Sequence, residues 1–205
     1  MAPRQTTAYI PQNLGLLPWK TVLQNVALGL QIRKVPKARA FDEARKALDA
    51  VDLSGFERAY PKELSGGMQQ RLALARALAL DMDLLLMDEP LSAVDALSRE
   101  ALQDLLLDVW KREGQTQVLV THSIEEAVYL GQRIFVFSQR PGRLVATVEN
   151  LQMGERSYRD SVEFAALCRE VRARLAQGGG AEDAPRAFDG GAAPERIAPS
   201  EGANA

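Results

Sequence analysis

The run Leu84-Leu85-Leu86-Met87-Asp88-Glu89-Pro90 constrains the fold of this chain more than any other feature. Its first four residues are all apolar, so it has neither a helical stripe nor a strand alternation. A short run of that kind reads as a strand buried on both faces, the pattern of a parallel sheet covered by helices. Helical patterns flank it. One covers about 65–80. Another covers about 95–112, with Leu102, Leu105, Leu106, Val109 and Trp110 on one face and Gly114 after its end. Residues 117–121 read as a second buried strand. Strands and helices thus alternate over 65–137, which predicts an α/β layered domain with a largely parallel sheet.

Toward the start, Thr7-Ala8-Tyr9-Ile10 reads as extended and is stopped by Pro11. Residues 14–19 read as loop, punctuated by Gly15 and Pro18. Helices are predicted over 21–31 and 37–52, the second with Phe41, Ala44, Leu48 and Val51 on one face. Residues 54–64 read as loop. Farther on, Ser123 followed by Glu126 predicts a capping box. Strands are expected over 133–137 and 144–148 around a Pro141-Gly142 turn, and a last amphipathic helix over 158–176. From 178 to 205 the chain is Gly, Ala, Pro and scattered charge, the composition of a disordered tail. No internal repeat is visible.

At 205 residues and 46% apolar, the chain suits one domain plus a tail. Its formal net charge of −2, with no Lys/Arg-rich block, argues against a nucleic-acid binder that works by neutralising phosphates. Cys168 is the single cysteine, so an internal disulfide is impossible and a reducing cytosol is the simplest fit. No stretch approaches the ~20 apolar residues of a membrane helix. No apolar segment of the signal-peptide kind follows Met1-Ala2-Pro3-Arg4-Gln5. Work at a membrane would require docking onto something that spans it.

Two stretches carry candidate chemistry. In a parallel α/β sheet, ligands bind at the carboxyl ends of strands, where Asp88 and Glu89 sit. Adjacent strand residues point opposite ways. One acid can therefore hold a magnesium ion while its neighbour orients or deprotonates water. A core strand that merely ends in solvated acids is the plainer alternative. The second stretch is Leu64-Ser65-Gly66-Gly67-Met68-Gln69-Gln70-Arg71. Serine is a good helix cap, glycines admit close approach to the backbone, and free amides at a helix start attract anions. An ordinary capped helix explains the same residues.

Together these stretches resemble the ATPase domain of ABC transporters. Leu64–Gln69 is similar to the family signature Leu-Ser-Gly-Gly-Gln, with Met68 in the usual Gln position. Leu84–Glu89 resembles the Walker B strand with its glutamate, Leu91-Ser92-Ala93-Val94-Asp95 the D-loop, His122 the switch histidine, and Gln12 after Tyr9-Ile10-Pro11 the Q-loop glutamine. Five motifs in family order at family-like separations, over about 7–148, carry the identification. The run Leu16-Leu17-Pro18-Trp19 is similar to importers of the nitrate, sulfonate and taurine group.

The resemblance implies a partial nucleotide-binding domain over 1–150 with a helical signature subdomain at about 20–80, a helical extension over 151–177, and the tail. It implies ATP and Mg²⁺ as cofactors. Asp88 would help hold the metal, Glu89 would act as base or water orienter, and His122 would contact the γ-phosphate. Gln12 would sense metal and nucleotide. Ser65, Gly66, Gly67 and Gln69 would act on nucleotide held by the other subunit of a homodimer or heterodimer. Asp95 would face that dimer or cap the following helix, or do both. Leu16, Leu17, Pro18 and Trp19 would form a docking surface for transmembrane permease subunits or a local apolar anchor. A solute-binding protein would be an indirect partner, nucleic acid none, and the place of work the cytoplasmic face of the cell membrane.

The phosphate-cradling pattern Gly-x-x-x-x-Gly-Lys-Ser/Thr occurs nowhere in the 205 residues. Since P-loop amides and Lys make most contacts to the β- and γ-phosphates, the expectation is an N-terminally truncated importer subunit that binds ATP weakly and exposes a sheet edge. The alternative is a non-catalytic partner that lends Ser65–Gly67 to a complete ATPase. Retention of Glu89 and His122 favours the first. A P-loop kinase or repair ATPase is disfavoured by residues 14–19 and by the short spacing between Gln12 and Ser65.

Overall fold

A computed structural model describes residues 7–92 and 94–179. The tail expected over 178–205 lies almost wholly outside the described residues. Three parallel strands form the main sheet: β1 (Thr7–Ile10), β2 (Leu84–Asp88) and β3 (Thr116–Val120), with β2 in the middle. Ala8 pairs with Leu85 and Ile10 with Met87; Leu85 in turn faces Gln117 and Asp88 faces Val120.

The period of two splits these strands into two faces. Ala8, Ile10, Leu85 and Met87 are buried in the main core, whereas Leu84 and Leu86 are only half-buried. On the same side as those two, Tyr9, Val118 and Val120 are 56%, 46% and 57% exposed. Residues 117–121 were expected as a buried strand. The observed strand starts one residue earlier, at Thr116, and only one of its faces is covered among the described residues.

Between β1 and β2 lies a helical unit: α1 (Val22–Ile32), α2 (Lys37–Asp49) and α3 (Gly66–Leu78). Thr21 and Gln24 form a reciprocal capping box at the start of α1, which the sequence reading missed. The expected helix over 37–52 ends earlier. Asp52 takes a left-handed φ of 58°, and the chain turns to bury Val51 and Leu53 under α2. At Gly29 of α1 an added Cβ would lie 2.6 Å from Leu80 Cδ2, so glycine lets α1 close on the chain after α3.

Past β2, α4 (Ala96–Glu113) is capped by Asp95 and ended by left-handed Gly114. A smaller core forms under α5 (Ile124–Leu130), the antiparallel pair β4 (Arg133–Phe137) and β5 (Leu144–Glu149), and α6 (Val162–Gly179). The expected helix over 158–176 is two pieces. Residues Arg156–Asp160 form a 3₁₀ turn, and Ser161 then interrupts it, accepting from Phe164 N at 3.0 Å and donating to Tyr158 O at 2.7 Å. That turn is pinned to α4. Arg159 donates to Gln103 and Asp104 at 3.0 and 3.1 Å and lies 4.1 Å over the Tyr129 ring, and Tyr129 donates to the same Asp104.

Candidate functional site

The carboxyl end of β2 gathers three of the sequence-predicted residues. Glu89 N is held by Val120 O at 2.9 Å, which extends the ladder by one residue, but its φ of 45° turns the chain out of the sheet. A left-handed glutamate is unusual and marks a backbone held by its surroundings. Ser92 holds the turn, with N and Oγ both donating to Glu89 O. The turn aims the Glu89 carboxylate between two partners. Gln12 Nε2 donates to one oxygen at 3.1 Å, and His122 Nδ1 lies 3.1 Å from the other. The histidine side chain is 74% exposed and Glu89 28%, so the cluster is open to a ligand on one side.

Gln12 comes from the turn after β1 and His122 from the turn after β3, so the two strands flanking β2 deliver them to its tip. Asp88, one residue earlier, points to the other face. There the Tyr9 hydroxyl donates to Asp88 Oδ2 at 3.4 Å, a contact the sequence reading did not foresee. Among the described residues no cluster of three or more His, Cys, Asp or Glu could cage a metal. Asp88 supplies a hard carboxylate oxygen, the donor type that Mg²⁺ takes.

The turn that presents His122 is fixed from behind. Ser123 Oγ accepts from Glu126 N at 3.2 Å, the first half of the expected capping box. The second half does not form. The buried Glu126 carboxylate instead accepts from Thr121 Oγ1 at 2.7 Å and lies 3.7 Å from Arg99. Arg99 also donates to Leu91 O and Val94 O, so one guanidinium ties the loop after β2 to the base of the His122 turn.

Ser65, Gly66 and Gly67 have no contact with the Glu89 cluster among the described residues. Ser65 caps α3 by accepting from Met68 N at 3.3 Å, while Ser65 and Gly66 are exposed. Gln69 turns back, its Nε2 donating to Pro61 O and Leu64 O, and so holds the approach to α3. Gly67 packs near the start of α4: an added Cβ would meet Ser98 Cβ at 3.4 Å. Asp95, exposed, accepts from Ser98 N at 3.0 Å, and this hydrogen bond holds its carboxyl below the ordinary aspartate range. The two stretches therefore meet beside a cleft of about 480 Å³ lined by Ser65, Gly67, Arg71, Leu97 and Ser98. In the loop after Gln12, Trp19 is exposed and Leu16 packs against the main core.

A family model described as ABC transporter matches residues 1–92. A taurine import ATP-binding protein of Yersinia pestis is 45% identical over 183 residues, covering 85% of this chain and 71% of that protein. One from Rhizobium johnstonii is 46% identical over 171 residues, covering 80% of this chain and 65% of the relative. An ABC transporter ATP-binding protein of Methanocaldococcus jannaschii is 48% identical over 160 residues, of which this chain spans 60% of the length. Among solved structures, a dimeric post-hydrolysis ATP-binding cassette bound to ADP and Pi is similar at a TM-score of 0.61 and 32% identity, over 71% of this chain and 63% of that one.

Proposed function

This chain belongs to the ATP-binding proteins of ABC transporters, and from that premise we propose that it supplies the hydrolytic side of a nucleotide site that powers solute import. The observation that carries the reading is the convergence of Gln12 and His122 on the Glu89 carboxylate at the tip of β2. Glu89 accepts the proton of the attacking water or orients it. Gln12 and His122 hold that carboxylate in place. Nδ1 of His122 faces Glu89, which leaves its other ring nitrogen for the γ-phosphate. Asp88, steadied by Tyr9, would hold Mg²⁺, which when bound would supply positive charge to offset that developing on the phosphates. Ser65, Gly66 and Gly67 offer their hydroxyl and amides to nucleotide bound by a second subunit.

Similarity to taurine and sulfonate import proteins supports a sulfonate-type solute. Among the described residues no helix is long and apolar enough to cross a membrane. Similarity to import ATP-binding proteins supports a place of work on the cytoplasmic membrane face, on permease subunits gripped through Leu16, Leu17, Pro18 and Trp19. With no P-loop pattern in its sequence, the chain on its own holds ATP weakly.

Two measurements test this. Calorimetric titration of MgATP into the chain is expected to give no saturable binding below roughly 1 mM; a micromolar dissociation constant overturns the weak-binding statement. The second uses a chimaera in which the P-loop strand and helix of a taurine-type relative precede residue 7. It is expected to hydrolyse ATP, and Glu89→Gln to slow turnover by about 10²-fold or more while ATP still binds. Unchanged turnover in Glu89→Gln defeats the hydrolytic role. If the chain instead stimulates a complete subunit on mixing, and Glu89→Gln stimulates equally, the role is that of a partner lending Ser65–Gly67.

A further inference from the structure

Arg33, Lys34, Lys37 and Arg39 fall within seven positions, with no acid between Gln31 and Phe41. They occupy the turn that joins α1 to α2, and all four are exposed. Their charge is not spent within the fold. Among the described residues no ion pair holds Lys34, Lys37 or Arg39, and Arg33 donates to a backbone carbonyl, Leu80 O, at 2.7 Å. The next acids along α2 are already taken: Asp42 pairs with Arg45 at 2.9 Å and Glu43 with Lys46 at 3.0 Å. Asp81, one residue beyond Leu80, can offset a single one of the four charges. Beside them Ile32 leaves its side chain in water, at 72% exposure.

The turn is fixed in place. Lys34 N donates to Gln31 O at 2.9 Å and Val35 N to Leu30 O at 3.0 Å, the paired closure that ends a helix on a left-handed residue. Glycine is the residue that suits that position. Here Lys34 holds it, at a φ of 61°, a conformation unfavourable for any residue with a Cβ. Val35 packs against the main core, and the Arg33 contact ties the turn to the chain after α3. The basic side chains are thus presented on a rigid apex, one of them at a conformational cost.

We propose that the α1–α2 turn is a contact for anionic phospholipid headgroups. Such a contact presupposes that the protein works at the membrane face, as proposed above. Without these four residues the chain carries 21 Lys/Arg against 27 Asp/Glu, so an anionic surface repels the rest of the molecule and the turn sets its orientation. A cluster of four basic side chains is what anionic headgroups attract, each charge strengthening binding about fivefold near the surface. Ile32 adds an apolar side chain to enter the boundary between headgroups and acyl chains. Permease loops are a poorer match. Cytoplasmic loops of membrane proteins carry an excess of Lys and Arg, which a basic turn repels.

The experiment is flotation of the full chain with vesicles of phosphatidylcholine, alone or with about one-third phosphatidylglycerol, at low salt and at roughly 0.5 M salt. It uses neither nucleotide nor permease, so its failure leaves the hydrolytic reading standing. Binding is expected to be about tenfold or more stronger on the anionic vesicles, with most of that difference lost at high salt. Lys34→Gly/Arg39→Gln is expected to weaken anionic binding about twentyfold. Its melting midpoint is expected to stay or rise, because glycine suits the left-handed position. Arg140→Gln/Arg143→Gln removes two exposed charges from the turn between β4 and β5, and is expected to change binding by less than about twofold. The proposal is overturned if the chain binds neither vesicle, if it binds both equally, or if the two variants lose binding equally. Tighter binding to duplex DNA than to anionic vesicles at equal phosphate also overturns it and makes the turn a nucleic-acid contact.

Discussion

The two faces of the parallel sheet are built from the same strands and have opposite fates. On one, Ala8, Ile10, Leu85 and Met87 are sealed against the helices. On the other, Tyr9, Val118 and Val120 lie about half open, and Leu84 and Leu86 are only partly covered. The β4–β5 pair repeats this, with Ile134 and Val136 buried while Phe135 and Phe137 are 54% and 58% exposed. Apolar surface of this extent is costly in water and adhesive. The covered face holds the described residues together, whereas the open face supplies apolar area without matching stability.

The largest effect that would break this comparison is on stability. Leu85→Ala, at a fully buried position of the covered face, is expected to cost about 2–5 kcal/mol in urea unfolding. Val118→Ala on the open face is expected to cost less than about 1 kcal/mol. Equal losses would mean that both faces are packed in solution.

The next effect is on association. Val120→Lys, at a position 57% exposed, is expected to leave the melting midpoint nearly unchanged. It should also lower binding of an apolar dye and reduce light scattering on concentration. A substantially lowered midpoint would place Val120 under something in solution.

The smallest effect lies outside the sheet, at the cap of α4. Ser98 N holds the Asp95 carboxyl below its ordinary value, so the folded state releases this proton more readily than the unfolded state. The resulting stabilisation is fully present above the ordinary aspartate range and is lost as pH falls through the depressed value. Asp95→Asn is therefore expected to flatten the acid limb of the stability–pH profile slightly. An unchanged limb would remove the cap from the acid response.

Much of the candidate site was legible from residue type and order. Glu89, His122 and Gln12 belong to motifs that the family resemblance located, and the structure brings all three together. Other features were hidden because they depend on contacts distant in sequence. The second half of the capping box at Ser123 looked assured, yet Thr121 and Arg99 take the Glu126 carboxylate. Tyr9 reads as an ordinary strand residue until parallel pairing brings its hydroxyl to Asp88, 79 residues away. Arg76 reads as one more charge on a helix until the fold sets it against Leu14 and Gly15.

By itself the sequence determined the order of elements, the family, and which residues stand at the strand tip, because periodicity and motif spacing are local and survive without a fold. Only tertiary structure decided which face of each strand is covered, where the polar side chains of Glu126, Asn25 and Arg76 find partners, and that the loop after Gln12 is fastened to α3. Those outcomes depend on groups brought together across tens of residues. The all-apolar run at Leu84–Met87 shows the division: its composition announces a strand that wants two covered faces, and the described residues cover one.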